Sequence, residues 1–432
     1  MRRFNIFMAA KGAVYIRPEQ LTLGIYVCLD LGWMDHPFTF SQFRIKSEEQ
    51  LQQIRELRLE RIRVDPSRSS TAPLPWQPDA HRPPSAPPAP AVPSPELIAK
   101  RDRIAKLKAR IQSISQCEKH YLDAAKSISN ITRNILSRPE ETIVEAEALA
   151  SRLASSLLAE QEIAVHLMND KVLGEEVYYH SLNVSVLAMI LGRAMGMTEL
   201  DLRMLGMGGI FHDLGKMRIP HKVLQKADNP SKAELDFIQL HTQYGLEIGQ
   251  KVKLPLPILR IIGQHHEFMD GSGYPQHLKG DAIDPLTRVL TVVNTYDNLC
   301  NPVQVINALT PHEALSLMFS QQRSRFDTHA LSLLVHTLGV YPPGTVVRLN
   351  NEVVGMVMSV NSARPLKPHV LIYDEQIPRD EAMILDLAQE SDLSIAKAVR
   401  PAQLSTAIYN YLSPRSRVTY FFDASSSPRG VT

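Results

Sequence analysis

Cysteine is scarce in this chain of 432 residues, with only Cys28, Cys117 and Cys300. They are too scattered for a disulfide framework or a cysteine-based zinc site, so a reducing compartment is the simpler reading. A one-sided charge is also missing. Lys plus Arg total 47 against 45 Asp plus Glu, a formal charge of +2. That balance argues against a protein built to coat nucleic acid or anionic lipid. No apolar run approaches the ~18 residues that a membrane span needs. The best, VSVLAMILGRAMGM from Val184, is cut by Arg193. The amino terminus, MRRFNIFMAAKGA, has the basic start of a signal peptide but reaches Lys11 too soon. The expected location is the cytoplasm. There is no internal repeat, no Gly-rich phosphate loop, and no acidic cluster of a phosphorylated receiver domain near the amino terminus.

The 44% hydrophobic share excludes wholesale disorder. At ~150 residues per domain the length fits two or three domains. One segment stands apart: residues 66–95 hold 11 prolines in 30 residues, mixed with Ser and Ala. Such a stretch reads as an extended polyproline-type spacer. Before it, Ala13–Ile16 and Gly24–Leu29 read as strands. Ser47 is the N-cap expected for the helix EEQLQQIRELRLE, and Arg61–Val64 would close a small sheet. Residues 1–65 thus predict a small α+β domain. After the spacer, Leu97, Ile98, Ile104, Leu107 and Ile111 recur at helical spacing. They predict an amphipathic helix over 95–114, which motivates a homodimer. Helical period continues over 119–136 and 140–168, so that 96–170 form connecting helices, and nearly every segment from Glu175 to about Leu338 is helical. A helical core over 171–340 follows. From Pro342 the stretch PPGTVVRLNNEVVGMVMSVNS alternates as strands about an Asn-Asn turn, and His369–Tyr373 adds another. Residues 341–432 therefore predict a short β-appendage with a loose polar tail beyond Ser413.

The chemistry concentrates in the helical core. Glu176 and His180, four apart, share a helix face. His212 and Asp213 are adjacent in FHDLGK, His241 lies in QLHTQYG, His265 and His266 open HHEFMDGSGYP, and VVNTYDNL holds Asn294 and Asp297. Each piece alone has a bland explanation. A lone core histidine is more often a packing residue, Glu176 and His180 make an ordinary helix pair, and Asp270–Pro275 could be turn chemistry alone. Their conjunction within about 120 residues points elsewhere. Imidazoles and carboxylates without thiolates suit iron, manganese, zinc or similar divalent ions. A shared carboxylate, best Asp213, can bridge two metals and create a nucleophile from water near neutral pH. Lys216 is placed to neutralise phosphate oxygens.

HDLGKMRIP at His212–Pro220 and HHEFMDGSGYP at His265–Pro275 resemble the two signature stretches of the HD-GYP domain, a bacterial branch of the HD phosphohydrolase superfamily. The resemblance runs from about Leu173 to Leu315. It implies an all-α core that hydrolyses cyclic di-GMP to the linear dinucleotide or GMP with two or three divalent metals, iron or manganese foremost. It implies metal-ligand positions at His180, His212, Asp213, His241, His265, His266 and Asn294, a third-metal position at Glu176, and a phosphate-facing Lys216 that acts in catalysis with Asp213. Asp270, Gly271, Gly273, Tyr274 and Pro275 resemble a loop implicated in substrate access and in contacts to diguanylate cyclase (GGDEF) domains. The amino-terminal unit resembles a small domain of unknown function that precedes some HD-GYP modules.

Two departures stand out. The family usually has Asp where this chain has Asn294, and the arginine-rich run that often follows Asp297 is replaced by NLCNPVQVINALTPHEAL. Basic contacts to substrate would then rest on Arg288, Arg323 or Arg325. The leading expectation is a metal-dependent cyclic di-GMP phosphodiesterase. The alternatives are a weakly active or inactive module that binds nucleotide or partner, and an HD hydrolase acting on another nucleotide phosphate. No general acid is assigned; Asp297 and a metal-bound water are both open.

Overall fold

In a computed structural model the protein is described at residues 7–9, 13–31, 35–38, 41–75, 95–156, 176–226, 230–304, 307–361, 363–375, 377–379, 382–400 and 403–412. Most of the expected proline-rich spacer, the end of the helix expected over 140–168 and the tail lie outside the described residues. The chain divides into two compact units, Met1–Lys108 with Asp374–Met383, and Ala109–Tyr373 with Ile384–Thr432.

The first unit carries strands β1 (Phe7–Ala9), β2 (Ala13–Ile16), β3 (Tyr26–Cys28), β4 (Gln42–Arg44) and β5 (Ile62–Val64) in the order β1-β2-β5-β3-β4. All pairs are antiparallel, with Val14 opposite Val64 and Ile16 opposite Ile62. Helix α1, Glu48–Glu56, starts where expected: the Ser47 hydroxyl accepts from the Gln50 N–H at 3.2 Å. Its Leu51 and Ile54, three apart, join Ile16, Val27 and Ile62 in one apolar core.

Helix α2, Pro95–Asn134, is a single element of 40 residues rather than the two expected. The polar stretch around Ser113 and Ser115 suggests a break, but no Pro or Gly interrupts 96–134, so nothing forces one. It is followed by α3 (Pro139–Ser156), α4 (Glu176–Ala194) and α5 (Glu199–Phe211). The apolar run from Val184 is a core helix: Leu182, Val184, Val186, Leu187 and Leu191 in α4 are buried. No helix among the described residues is long and apolar enough to cross a membrane. Helix α5 begins at a capping box of Thr198 and Asp201. It packs close to α4 because a Cβ on Gly209 would lie 2.5 Å from the Ser185 backbone.

Beyond α5 come α6 (His221–Leu224), α7 (Lys232–Gln239), α8 (His241–Lys251), α9 (Leu256–Gln264), α10 (Pro285–Cys300), α11 (Pro311–Ser320) and α12 (Thr328–Leu338). A second sheet has β6 (Val346–Leu349), β7 (Val354–Ser359), β8 (His369–Ile372), β9 (Met383–Asp386) and β10 (Ile395–Ala398) in the order β10-β6-β7-β8-β9, with β10–β6, β6–β7 and β7–β8 antiparallel, and α13 (Thr406–Leu412) follows. The β6–β7 turn contains Asn350 and Asn351, but Glu352 takes the left-handed conformation, φ 68°. Strands β9 and β10 were not expected: β10, Ile-Ala-Lys-Ala, has little β-propensity and is held by pairing with β6. The architecture is mainly α, with a sheet near each end.

Candidate metal centre

The centre is built at the ends of helices. Helix α5 is pinned by buried Leu205, Met207, Ile210 and Phe211. Its last turn therefore delivers His212 and Asp213 to the interior, 0% and 6% exposed. The chain then tightens into a 3-10 turn, Leu214–Arg218. Gly215 in that turn meets α8 backbone to backbone: an added Cβ would stand 1.8 Å from the His241 carbonyl oxygen. This contact brings His241, the first residue of α8, beside Asp213. His265 caps the carboxyl end of α9, and His266 follows it. Helix α4 brings His180, and α10 brings Asn294 and Asp297.

The two oxygens of Asp213 face different partners. Oδ2 lies 3.4 Å from His212 Nε2 and 3.7 Å from His180 Nε2. Oδ1 lies 3.4 Å from His241 Nε2 and 3.7 Å from His265 Nε2. The ligand atoms form two groups that share this carboxylate, each with all its atoms within 4.8 Å of one another: Asp213 with His241, His265 and His266, and Asp213 with His180 and His212.

Hydrogen bonds aim the rings inward. His212 Nδ1 donates to the Gly209 carbonyl at 2.8 Å and His241 Nδ1 to the Ile238 carbonyl at 2.7 Å. His265 Nδ1 donates to the Ile262 carbonyl at 3.0 Å, and His180 Nδ1 pairs with Asp297 Oδ2 at 2.7 Å. An Nδ1–H so engaged leaves Nε2 as the ligating atom. Burial pushes the His241 pKa down to about 3 and lowers those of His265 and His266. Their imidazoles are neutral. His241 Nε2 and His265 Nε2 nonetheless stand 3.2 Å apart, two lone pairs face to face. Asp213 Oδ1 is buried with no hydrogen-bond donor. Burial raises the Asp213 pKa, but Lys216 and His212 outweigh it and hold the carboxyl well below the usual range. An orphaned carboxylate oxygen among neutral imidazole lone pairs is a donor set that suits a divalent cation.

The acid response of the metal-stripped protein follows from these rings. An unfolded histidine protonates near 6.5. Between about 6.5 and 3 the unfolded chain binds protons that the folded His241 refuses, so stability is complete above that window and falls as pH drops through it. Thermal unfolding of stripped protein should move to lower temperature from pH 7 to pH 5, and His241→Gln should flatten that slope. A flat wild-type profile would contradict the assignment.

Of the remaining sequence-derived residues, Lys216 Nζ donates to Asp213 Oδ2 at 2.6 Å. Glu176 opens α4, but its side chain lies outside the described residues. Asn294 is buried, and its Oδ1 accepts from Asn298 Nδ2 at 3.0 Å. The loop residues fold back onto His266. Tyr274 stacks on its ring with centroids 4.6 Å apart, and the Tyr274 N–H donates to the His266 carbonyl at 3.1 Å. Gly273 has no room for a side chain, with the His266 oxygen 2.3 Å from an added Cβ. Gly271 takes φ 80°, Asp270 Oδ1 accepts from the Ser272 N–H at 2.9 Å, and Tyr274–Pro275 is cis. Arg288 is held by the Ile283 carbonyl and Asp281, and Arg323 lies over Phe319. Arg325 lies over Phe268, 3.7 Å from its ring centre, beside the loop.

Sequence reasoning missed three positioning groups. Glu267, fully buried, accepts from the Gln276 and Leu278 N–H groups at 2.6 and 3.0 Å and so pins the loop. Asn183 donates to Asp297 Oδ1 at 2.7 Å and accepts from Tyr121, which ties α2 to the centre. Asp297 itself, open as a general acid, has Oδ1 on Asn183 and Asn301 and Oδ2 on His180. It therefore holds His180 in place. The one available signal was its place one turn after Asn294 on α10. Asp297→Asn should reduce metal affinity or turnover about 10–100-fold with little loss of stability, checked by metal content and thermal unfolding together.

Residues 130–330 match the family "HD domain", residues 14–146 match a domain of unknown function (DUF3391), and residues 346–407 match a "KOW domain associated with HD domain". The helical core that holds the candidate centre lies within the stretch similar to the HD domain family. Within that stretch the HHEFMDGSGYP loop resembles the signature of the HD-GYP branch of HD domains. A cyclic di-GMP phosphodiesterase of Pseudomonas aeruginosa is 27% identical over 82% of this chain and 83% of its own. A 3′3′-cGAMP-specific phosphodiesterase of Vibrio cholerae is 28% identical over 37% of this chain, which spans only 35% of that relative's length. A solved HDG"Y"P protein from Bdellovibrio bacteriovorus aligns over 74% of this chain and 98% of its own, with 18% identity and a TM-score of 0.44, a likeness too slight to bear on the site.

Proposed function

We propose that this chain hydrolyses the phosphodiester bonds of cyclic di-GMP, giving the linear dinucleotide or GMP. The observation that carries the reading is Asp213, whose two oxygens face two separate histidine groups. Asp213, His241, His265 and His266 would hold one divalent ion, and Asp213, His180 and His212 a second. Glu176, one turn before His180, is the candidate for a third. Iron or manganese fits the nitrogen and oxygen donors. Such ions polarise phosphoryl oxygens and lower the pKa of water.

The remaining steps belong to the chain. Fixed Nδ1 hydrogen bonds keep the Nε2 atoms of His212, His241 and His265 on the centre and so hold these three rings as ligands rather than proton shuttles. Lys216, with 28% of its side chain exposed, is placed to neutralise the charge that grows on a non-bridging phosphate oxygen. Burial raises the Tyr274 pKa, so its phenol stays neutral and its ring walls the centre over His266. The substrate match is supported by the Pseudomonas relative, similar over most of both chains. Diguanylate cyclase (GGDEF) domains as partners of the 270–275 loop, a homodimer through α2 and a cytoplasmic location belong to the same proposal.

The test is hydrolysis of cyclic di-GMP and of 3′3′-cGAMP by anaerobically purified protein reconstituted with iron or manganese, with His212→Ala/Asp213→Ala as control. Linear product from the wild type alone supports the reading. Faster turnover of 3′3′-cGAMP would replace the substrate, and folded, metal-loaded protein without turnover would make it a binding module.

A further inference from the structure

The two halves of the centre are unequal in what they offer a cation. On one side Asp213 Oδ1 is buried and has no donor. Three imidazoles, those of His241, His265 and His266, accompany it. On the other side Asp213 Oδ2 already accepts from Lys216 Nζ at 2.6 Å, and among the described residues only His180 and His212 accompany it. Helix α10 could have compensated. Its Thr291 hydroxyl donates to the His265 carbonyl at 3.1 Å, and its Asp297 holds His180. The residue between them on that face is Asn294, which is neutral and has its oxygen engaged by Asn298. Among the described residues the second half thus has a single carboxylate oxygen, and an ammonium group occupies it.

We infer that the centre fills in order. A first ion binds tightly at Asp213, His241, His265 and His266. A second binds weakly at His180 and His212, in competition with Lys216 for Asp213 Oδ2. Filling the second half releases the Lys216 ammonium from Asp213 and frees it to face an anionic phosphate. Lys216 is suited to this exchange because it is part-exposed, and its long stem lets the head leave Oδ2 without moving the backbone. Metal supply would then set both the number of ions and the availability of the lysine. The inference rests on the reading of the two groups as metal sites.

The experiment is a calorimetric titration of the metal-stripped full chain with Mn2+, with bound metal counted after gel filtration. Wild type should show two steps, the second at least about tenfold weaker, and should retain one ion per chain on the column. Lys216→Met should tighten the second step about tenfold or more, leave the first within about threefold, and retain two ions. Asn294→Asp, which adds a carboxylate and keeps Lys216, should also tighten the second step alone. Two equal steps in the wild type, or a second step unmoved in both folded variants, would overturn the inference. If Lys216→Met does not fold, Asn294→Asp alone carries the same two outcomes. Ordered binding without hydrolysis would keep this inference and remove the proposed activity, whereas no binding at all would remove both.

Discussion

Asp213→Asn should abolish turnover and empty the centre. Among the described residues Asp213 is the only carboxylate in either group of candidate ligands. The amide keeps the shape but has one oxygen, so one half of the centre would face an NH2 group instead of a ligand. The loss should be at least about 10³-fold in rate, or about 4 kcal/mol of transition-state stabilisation. Metal content should fall below one ion per chain. The fold should persist, because α5 is held by its apolar face and not by this side chain. Circular dichroism and metal counting on the same sample check all three. Turnover within tenfold of wild type would remove the bridging role from Asp213.

Gly215→Ala should damage fold and centre together. The added Cβ meets the His241 carbonyl oxygen at 1.8 Å and the Gly245 nitrogen at 2.5 Å. Both are backbone atoms, so no side-chain rotation relieves the clash, and the 3-10 turn must move from α8. Overpacking of this kind costs about 3 kcal/mol. That lowers the midpoint of thermal unfolding by about 6–12 °C in a domain of this size. The same shift parts Asp213 from His241, and a displacement near 1 Å costs about 10²-fold in rate. An unfolding midpoint within about 2 °C of wild type would show that the turn and α8 are not in backbone contact.

Much of this was legible in the chain itself. Helix starts with capping residues, at Ser47 and at Thr198 with Asp201, were written locally, because a cap is satisfied within three residues. The histidines and Asp213 were legible as a group because their residue types suit one chemistry. Strand β10 was not, since its order comes from β6 and not from its own Ile-Ala-Lys-Ala. The roles of Asp297 and Glu267 were hidden for a related reason. A carboxylate in a motif carries no mark of whether it faces substrate, a ring nitrogen or a backbone amide. Asp297 grips His180 across 117 residues of sequence, and Glu267 grips the loop through Gln276 and Leu278.

By itself the sequence determined the mainly helical core, several of the sheet-forming segments on either side of it and a group of residues whose chemistry suits a metal. Periodicity, caps and side-chain chemistry are properties of neighbours along the chain. Only the tertiary structure decided which oxygen of Asp213 serves which histidines, that Lys216 already holds one of them, and that Asn294 turns its oxygen to Asn298. Those outcomes depend on how five helices converge, and Gly215 sets one such approach through backbone contact that no residue type announces.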